Sequence, residues 1–126
     1  MLIEKINTGQ AELWIEDHIY RLIHLKGKRG TLATAKEELR IHRELSGGMQ
    51  LPLFADLRMM KNASPEARDY GNSEAVISTY AAVGILIGSN LTRIMGSMFI
   101  RINKPSYPVR MFTIEEDALA WLQQFK

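Results

Sequence analysis

The sequence predicts a mixed α/β layer fold, in which an N-terminal β-hairpin is followed by parallel βα units and about four helices flank one sheet. Three observations predict it. Two short alternating runs adjoin near the N-terminus, three further apolar runs of strand length follow, and a stretch with helical spacing separates each from the next. Strands alternating with helices call for right-handed crossovers, so the second half of the sheet is parallel and the hairpin supplies its antiparallel part.

In chain order, residues 11–17 alternate, with Leu13 and Ile15 on one side and Trp14 on the other. Residues 18–26 continue with Ile19, Tyr20, Leu22, Ile23 and Leu25 and pair back on them. Lys28-Arg29-Gly30 is a break, after which Thr31 caps a helix carrying Leu32, Ala35, Leu39 and His42 on one stripe. Gly47-Gly48 ends that helix. Residues 51–57 form a nearly continuous apolar run closing on Asp56-Leu57-Arg58, the pattern of a strand buried on both faces. Ser64-Pro65-Glu66 then starts a helix: the serine satisfies a free N–H, proline suits the first position, and glutamate complements the dipole. It runs towards Tyr80, with Gly71-Asn72 as its weak point. Residues 83–88 read as the second buried strand. Asn90 or Ser89 caps a helix bearing Leu91, Ile94, Met95, Met98, Phe99 and Ile102. Pro105 and Pro108 mark the loop to a last strand, 109–112. Thr113 with Glu116 has capping-box spacing ahead of a helix carrying Ile114, Ala118, Trp121, Leu122 and Phe125.

Composition narrows the class of function. At 126 residues, 46% hydrophobic, the chain suits one domain over residues 1–126, and no linker-like segment divides it. The longest apolar stretch, 81–87, is far short of the roughly 18 residues of a membrane span. The start Met1-Leu2-Ile3-Glu4-Lys5 puts charges where a signal peptide needs an apolar core, which predicts a cytoplasmic protein. The absence of cysteine excludes disulfides, thiolate nucleophiles and cysteine metal sites. Sixteen Lys+Arg against fourteen Asp+Glu leave only +2, and the bases are dispersed. Lys26, Lys28 and Arg29, and likewise Arg40 and Arg43, lack interleaved aromatics, so no nucleic-acid partner is expected.

The residues give no sign of catalysis. There is no Gly-x-Ser-x-Gly elbow, phosphate loop, Gly-x-Gly-x-x-Gly turn or His-Glu-x-x-His, so no catalytic residue, metal ligand or cofactor is assigned. His18 and His24 fall in one predicted strand, but six residues of extended chain separate them by roughly 20 Å. Each histidine, His42 included, reads as a surface or packing residue. Glu115-Glu116-Asp117 suits the first turn of a helix. Gly84 and Gly88 read as strand glycines that admit close neighbours, and Gly96-Ser97 as a point of close helix packing. Met95, Met98 and Met111, with Met59 and Met60, suit a core, or the soft wall of an apolar cavity.

In open α/β sheets, binding groups gather beyond the carboxyl ends of the parallel strands. Here those loops hold Arg58, Lys61, Asn62 and Ser64, then Ser89, Asn90 and Arg93, then Thr113 and Glu115. Bases beside two helix N-termini suit an anion or an acidic partner. Arg58, Lys61, Asn62, Ser64, Ser89, Asn90 and Arg93 are therefore the candidate partner-binding residues.

The element order, with Asp56-Leu57 ending a buried strand and a capped helix beginning eight residues later, resembles the STAS superfamily of anti-sigma-factor antagonists. Residues 53–126 are similar, more narrowly, to small bacterial STAS-like proteins of uncharacterised function. Ala55-Asp56-Leu57-Arg58, Ser64-Pro65-Glu66-Ala67-Arg68, Asn103-Lys104-Pro105 and Arg110-Met111-Phe112-Thr113-Ile114-Glu115-Glu116 carry the likeness. The resemblance implies a regulatory scaffold whose antagonist branch is switched by phosphorylation of a residue following the helix cap. Here the cap position falls on Ser64 and the acceptor position on Pro65, which has no hydroxyl. The leading expectation is a non-catalytic regulatory module that docks a protein partner without that switch. The runner-up is a carrier of a small apolar or lipid-like ligand under the methionine-bearing helix, and an enzyme ranks third. A homodimer would form through the exposed edge of the first hairpin.

Overall fold

Side-chain alternation along three central strands sorts the apolar residues onto two faces of one sheet in a computed structural model, which describes residues 3–126 apart from the side chain of Leu91. In chain order the strands are β1 (Ile6–Asn7), β2 (Ala11–Glu16), β3 (Ile19–His24), β4 (Arg29–Gly30), β5 (Leu51–Asp56), β6 (Asn62–Ala63), β7 (Tyr80–Leu86) and β8 (Val109–Phe112). The helices are α1 (Leu32–Ser46), α2 (Pro65–Tyr70), α3 (Glu74–Ile77), α4 (Asn90–Met98) and α5 (Glu115–Leu122), with a π-helical turn, Phe99–Asn103, continuing α4. The main sheet has the order β1-β2-β3-β5-β7-β8; its first two pairings are antiparallel and its last three parallel. This is the mixed α/β architecture that the sequence predicts.

Tyr20, Leu22, Leu53, Ala55, Val83 and Ile85 point to one face, where Leu39 and Ile41 of α1 and Val76 of α3 cover them. The alternate residues Ile19, Phe54, Ala82 and Leu86 point to the other, under Ala118 and Leu122 of α5. The period of two in the strands thus places four helices on one side and one on the other. Gly96 brings α4 down onto β8, since a Cβ there would lie 2.6 Å from the Met111 sulfur.

Several elements differ from the sequence reading, each for a local reason. The hairpin turns through Asp17 and His18, both at positive φ, as a tight two-residue turn requires, so His18 shares no strand with His24. The helix after Ser64 is two pieces, giving five helices among the described residues rather than about four. Gly71 sits where a Cβ would meet the Phe99 ring at 2.7 Å, and Ser73 recaps the chain by accepting a hydrogen bond from the Val76 N–H. β7 begins three residues early because Tyr80 already pairs with Leu51. Thr113 forms no capping box: Ile114 holds the cap position without a side-chain bond, and three acids in the first turn stand in for it. Met95 is buried, yet Ile94 and Ile102 of the predicted stripe are 55% and 65% exposed. The two-residue β1 covers part of the hairpin edge on which the homodimer expectation rested.

A polar network lies inside the first face. His42 Nε2 is 2.8 Å from the Arg21 carbonyl, which can only accept, so Nε2 carries the proton and Nδ1 accepts from the Tyr80 hydroxyl at 2.7 Å. Burial pushes the His42 pKa down to about 4, so the ring is neutral and locked in one tautomer near neutral pH.

Candidate functional site

At the carboxyl ends of β5 and β7, the chain leaves a cleft of about 380 Å³ lined by Arg58, Ile87, Gly88, Ser89, Asn90, Arg93 and Thr113. Four of the seven residues proposed from sequence meet here. The parallel pairing of β5 with β7, Asp56 opposite Leu86, puts both strand ends on one rim. The α4 cap fixes the second side: Ser89 Oγ accepts from the Thr92 N–H, and Thr92 Oγ1 accepts from the Ser89 and Gly88 N–H groups, each at 3.2 Å.

The two arginines are not equivalent. Asp56, 3% exposed, accepts two side-chain bonds from Arg58 (Nε to Oδ1, 3.0 Å; Nη2 to Oδ2, 2.8 Å) and one from the Arg58 N–H at 3.1 Å. The hydrogen bonds and charge of Asp56 raise the Arg58 pKa above its ordinary value, and they also neutralise its field at close range. Gly88 lets this fork lie flat, as a Cβ there would press on the Arg58 stem at 3.0 Å. Arg93 is exposed and makes no side-chain hydrogen bond or ion pair among the described residues. The cleft therefore presents one free cation beside a rigid, already compensated pair.

Lys61, Asn62 and Ser64 lie outside the cleft, a correction to the grouping expected from sequence. β6 pairs in parallel with β4, and the Asn62 side chain accepts from Arg29 Nε at 2.8 Å, which draws this segment away. Ser64 Oγ caps α2 by accepting from the Ala67 N–H at 3.1 Å, with Pro65 in the first turn. Lys61 is exposed just before β6. Of the third loop, Thr113 reaches the cleft wall, whereas Glu115 is absent from it.

Sequence reasoning offered an apolar cavity under the methionine-bearing helix as its runner-up but missed the polar pair, His24 and Glu38, that lines the space under α1 and α4. Two adjoining cavities of about 170 and 200 Å³ share His24, Glu38, Ala67 and Phe99 in their walls. His24 and Glu38 are 3% and 8% exposed, with Nε2 and Oε2 3.6 Å apart. That spacing would suit an ion pair, but burial drives both groups to neutrality: it lowers the His24 pKa to about 4 and raises that of Glu38 to about 8. Neither His24 Nδ1 nor Glu38 Oε2 has a hydrogen-bond partner. The signal was present in the chain, for Glu38 stands three residues after Ala35 and four before His42, inside the apolar stripe. A broader groove of about 720 Å³ between β1 and α1 is a weaker candidate, because its cation, Arg40, is already tied to Glu37 and Glu44.

No helix of the described residues is long and apolar enough to cross a membrane. Among curated proteins none matches the chain. A crystal structure of an uncharacterised protein from the DUF3478 family, with a SpoIIAA-like fold, from Shewanella loihica PV-4, matches with a TM-score of 0.56 at 13% identity. The match covers 96% of this chain and 92% of that one, and at such identity it establishes the fold. Residues 13–126 match the family model described as Domain of unknown function (DUF7793), so the chain belongs to that family and carries the SpoIIAA-like, STAS-type fold that its motifs resemble.

Proposed function

We propose that the protein is a non-catalytic docking module of the STAS type, which binds an acidic segment of a protein partner in the cleft at the ends of β5 and β7. The observation that supports this reading most is the pairing in one cleft of an uncommitted cation, Arg93, with a fixed Arg58–Asp56 fork. A carboxylate on the partner can bind Arg93 and share the outer guanidinium edge of Arg58, while Ser89, Asn90 and Thr113 offer neutral donors. Proline at position 65 has no hydroxyl, so no phosphate can sit where the antagonist branch of the STAS superfamily carries its acceptor.

Arg93 is the residue to reverse. Changing Arg58 would strand the buried Asp56 carboxylate and confound binding with folding. In pull-downs with the wild type, Arg93→Glu and a distant control, Lys36→Glu, the wild type and the control are expected to retain the same protein. Arg93→Glu should lose it, with affinity down at least about tenfold, or about 1.4 kcal/mol. Equal retention by all three would refute the assignment.

A further inference from the structure

The cavity under α1 and α4 carries a second binding assignment, independent of the cleft. We propose that it is a site for a neutral, largely apolar molecule bearing a single hydroxyl, whose head sits against His24 and Glu38 and whose hydrocarbon fills the two lobes.

Three observations lead there. The two lobes together fall at the low end of the roughly 300–1,000 Å³ that small-molecule sites span. Their walls are mostly apolar, with Met60 and Met95 in one and Val76 and Tyr107 in the other, and Ala35 and Ala67 keep both open where larger side chains would close them. Into this apolar space project His24 and Glu38, whose residues are 3% and 8% exposed, each with an unpartnered side-chain atom. Leaving a buried polar group without a hydrogen bond is destabilising, so an unpartnered pair on one cavity wall is a feature a purely structural core would discard.

The chemistry of the pair selects the head group. Both groups are neutral near pH 7, one a carboxylic acid and the other an imidazole with one N–H. A hydroxyl donates and accepts at once, so it satisfies either tautomer of His24 and either orientation of the carboxyl group. A carboxylate or an ammonium would instead bring a net charge into an apolar chamber. Arg68 lies in the wall of the smaller lobe and is the one cationic side chain there, so an anionic head has a distinct place to go and the two can be told apart.

The test uses 1-octanol as probe and the full chain labelled at its methionine methyls. Octanol is expected to shift the Met60 and Met95 signals and to leave those of Met49 and Met59, which are 49% and 50% exposed, in place. Glu38→Leu should weaken binding at least tenfold. Glu38→Gln keeps a donor and an acceptor and should stay within about twofold, which separates head-group recognition from damage to the fold. Ala67→Leu should abolish binding by filling the shared wall, and Arg93→Glu should leave it unchanged. The proposal is overturned if octanol leaves Met60 and Met95 unmoved, if Glu38→Leu binds as the wild type does, or if octanoate binds more tightly than octanol.

Discussion

Replacing Glu38 with glutamine is expected to stabilise the protein by ~2–4 kcal/mol at pH 9 and by little at pH 5. The sign follows from the raised pKa. An unfolded chain releases the Glu38 proton near 4.5, whereas the folded chain keeps it up to about 8, so the favourable contribution is complete below 4.5 and is lost as pH rises through 8. His24 and His42 act in the opposite sense. With folded values near 4 against 6.5, their contribution is complete above 6.5 and is lost as pH falls towards 4. Two histidines outweigh one glutamate between 4.5 and 6.5, and the glutamate acts alone above, so wild-type stability should peak at about pH 6.5. Urea unfolding from pH 5 to 9 checks this, and a Glu38→Gln variant no more stable than the wild type at pH 9 would show that the carboxyl group is not desolvated.

The second large effect belongs to His42. Truncation to alanine should cost ~3–5 kcal/mol, because two losses combine. The ring is fully buried, with its centroid 4.7 Å from that of Tyr20 and 5.7 Å from that of Tyr80, so its removal opens a void between them. It also leaves the Tyr80 hydroxyl without its partner in the core. His42→Phe keeps most of the volume and should recover part of the loss, isolating the hydrogen-bond contribution. A chemical-denaturation midpoint that barely moves on His42→Ala would contradict the network.

What the chain announces and what it conceals divide along physical lines. The central strands β5 and β7 were legible because burial on both faces leaves an unbroken apolar run, and α1 because Thr31 and Gly47 mark its ends. β1, β4 and β6 were not, since a two-residue strand has no period to read and its partner is set by tertiary packing. The same difference governs the cleft. Ser89, Asn90 and Arg93 come together because a strand end followed directly by a helix cap fixes where they go. Lys61, Asn62 and Ser64 lie apart from them because the β4–β6 pairing, invisible in the pattern, pulls their segment aside. His24 and Glu38 were overlooked as a pair because they meet only when β3 and α1 pack, 14 positions apart in the chain.

Amide-resolved NMR titration of the full chain with a hexa-aspartate peptide tests the docking assignment most directly. The predicted result is a set of shifts confined to Gly88, Ser89, Asn90, Arg93 and Thr113, weakening as salt is raised and absent in Arg93→Glu. Shifts centred instead on Lys26, Lys28 and Arg29, or no shifts at millimolar peptide in low salt, would contradict it.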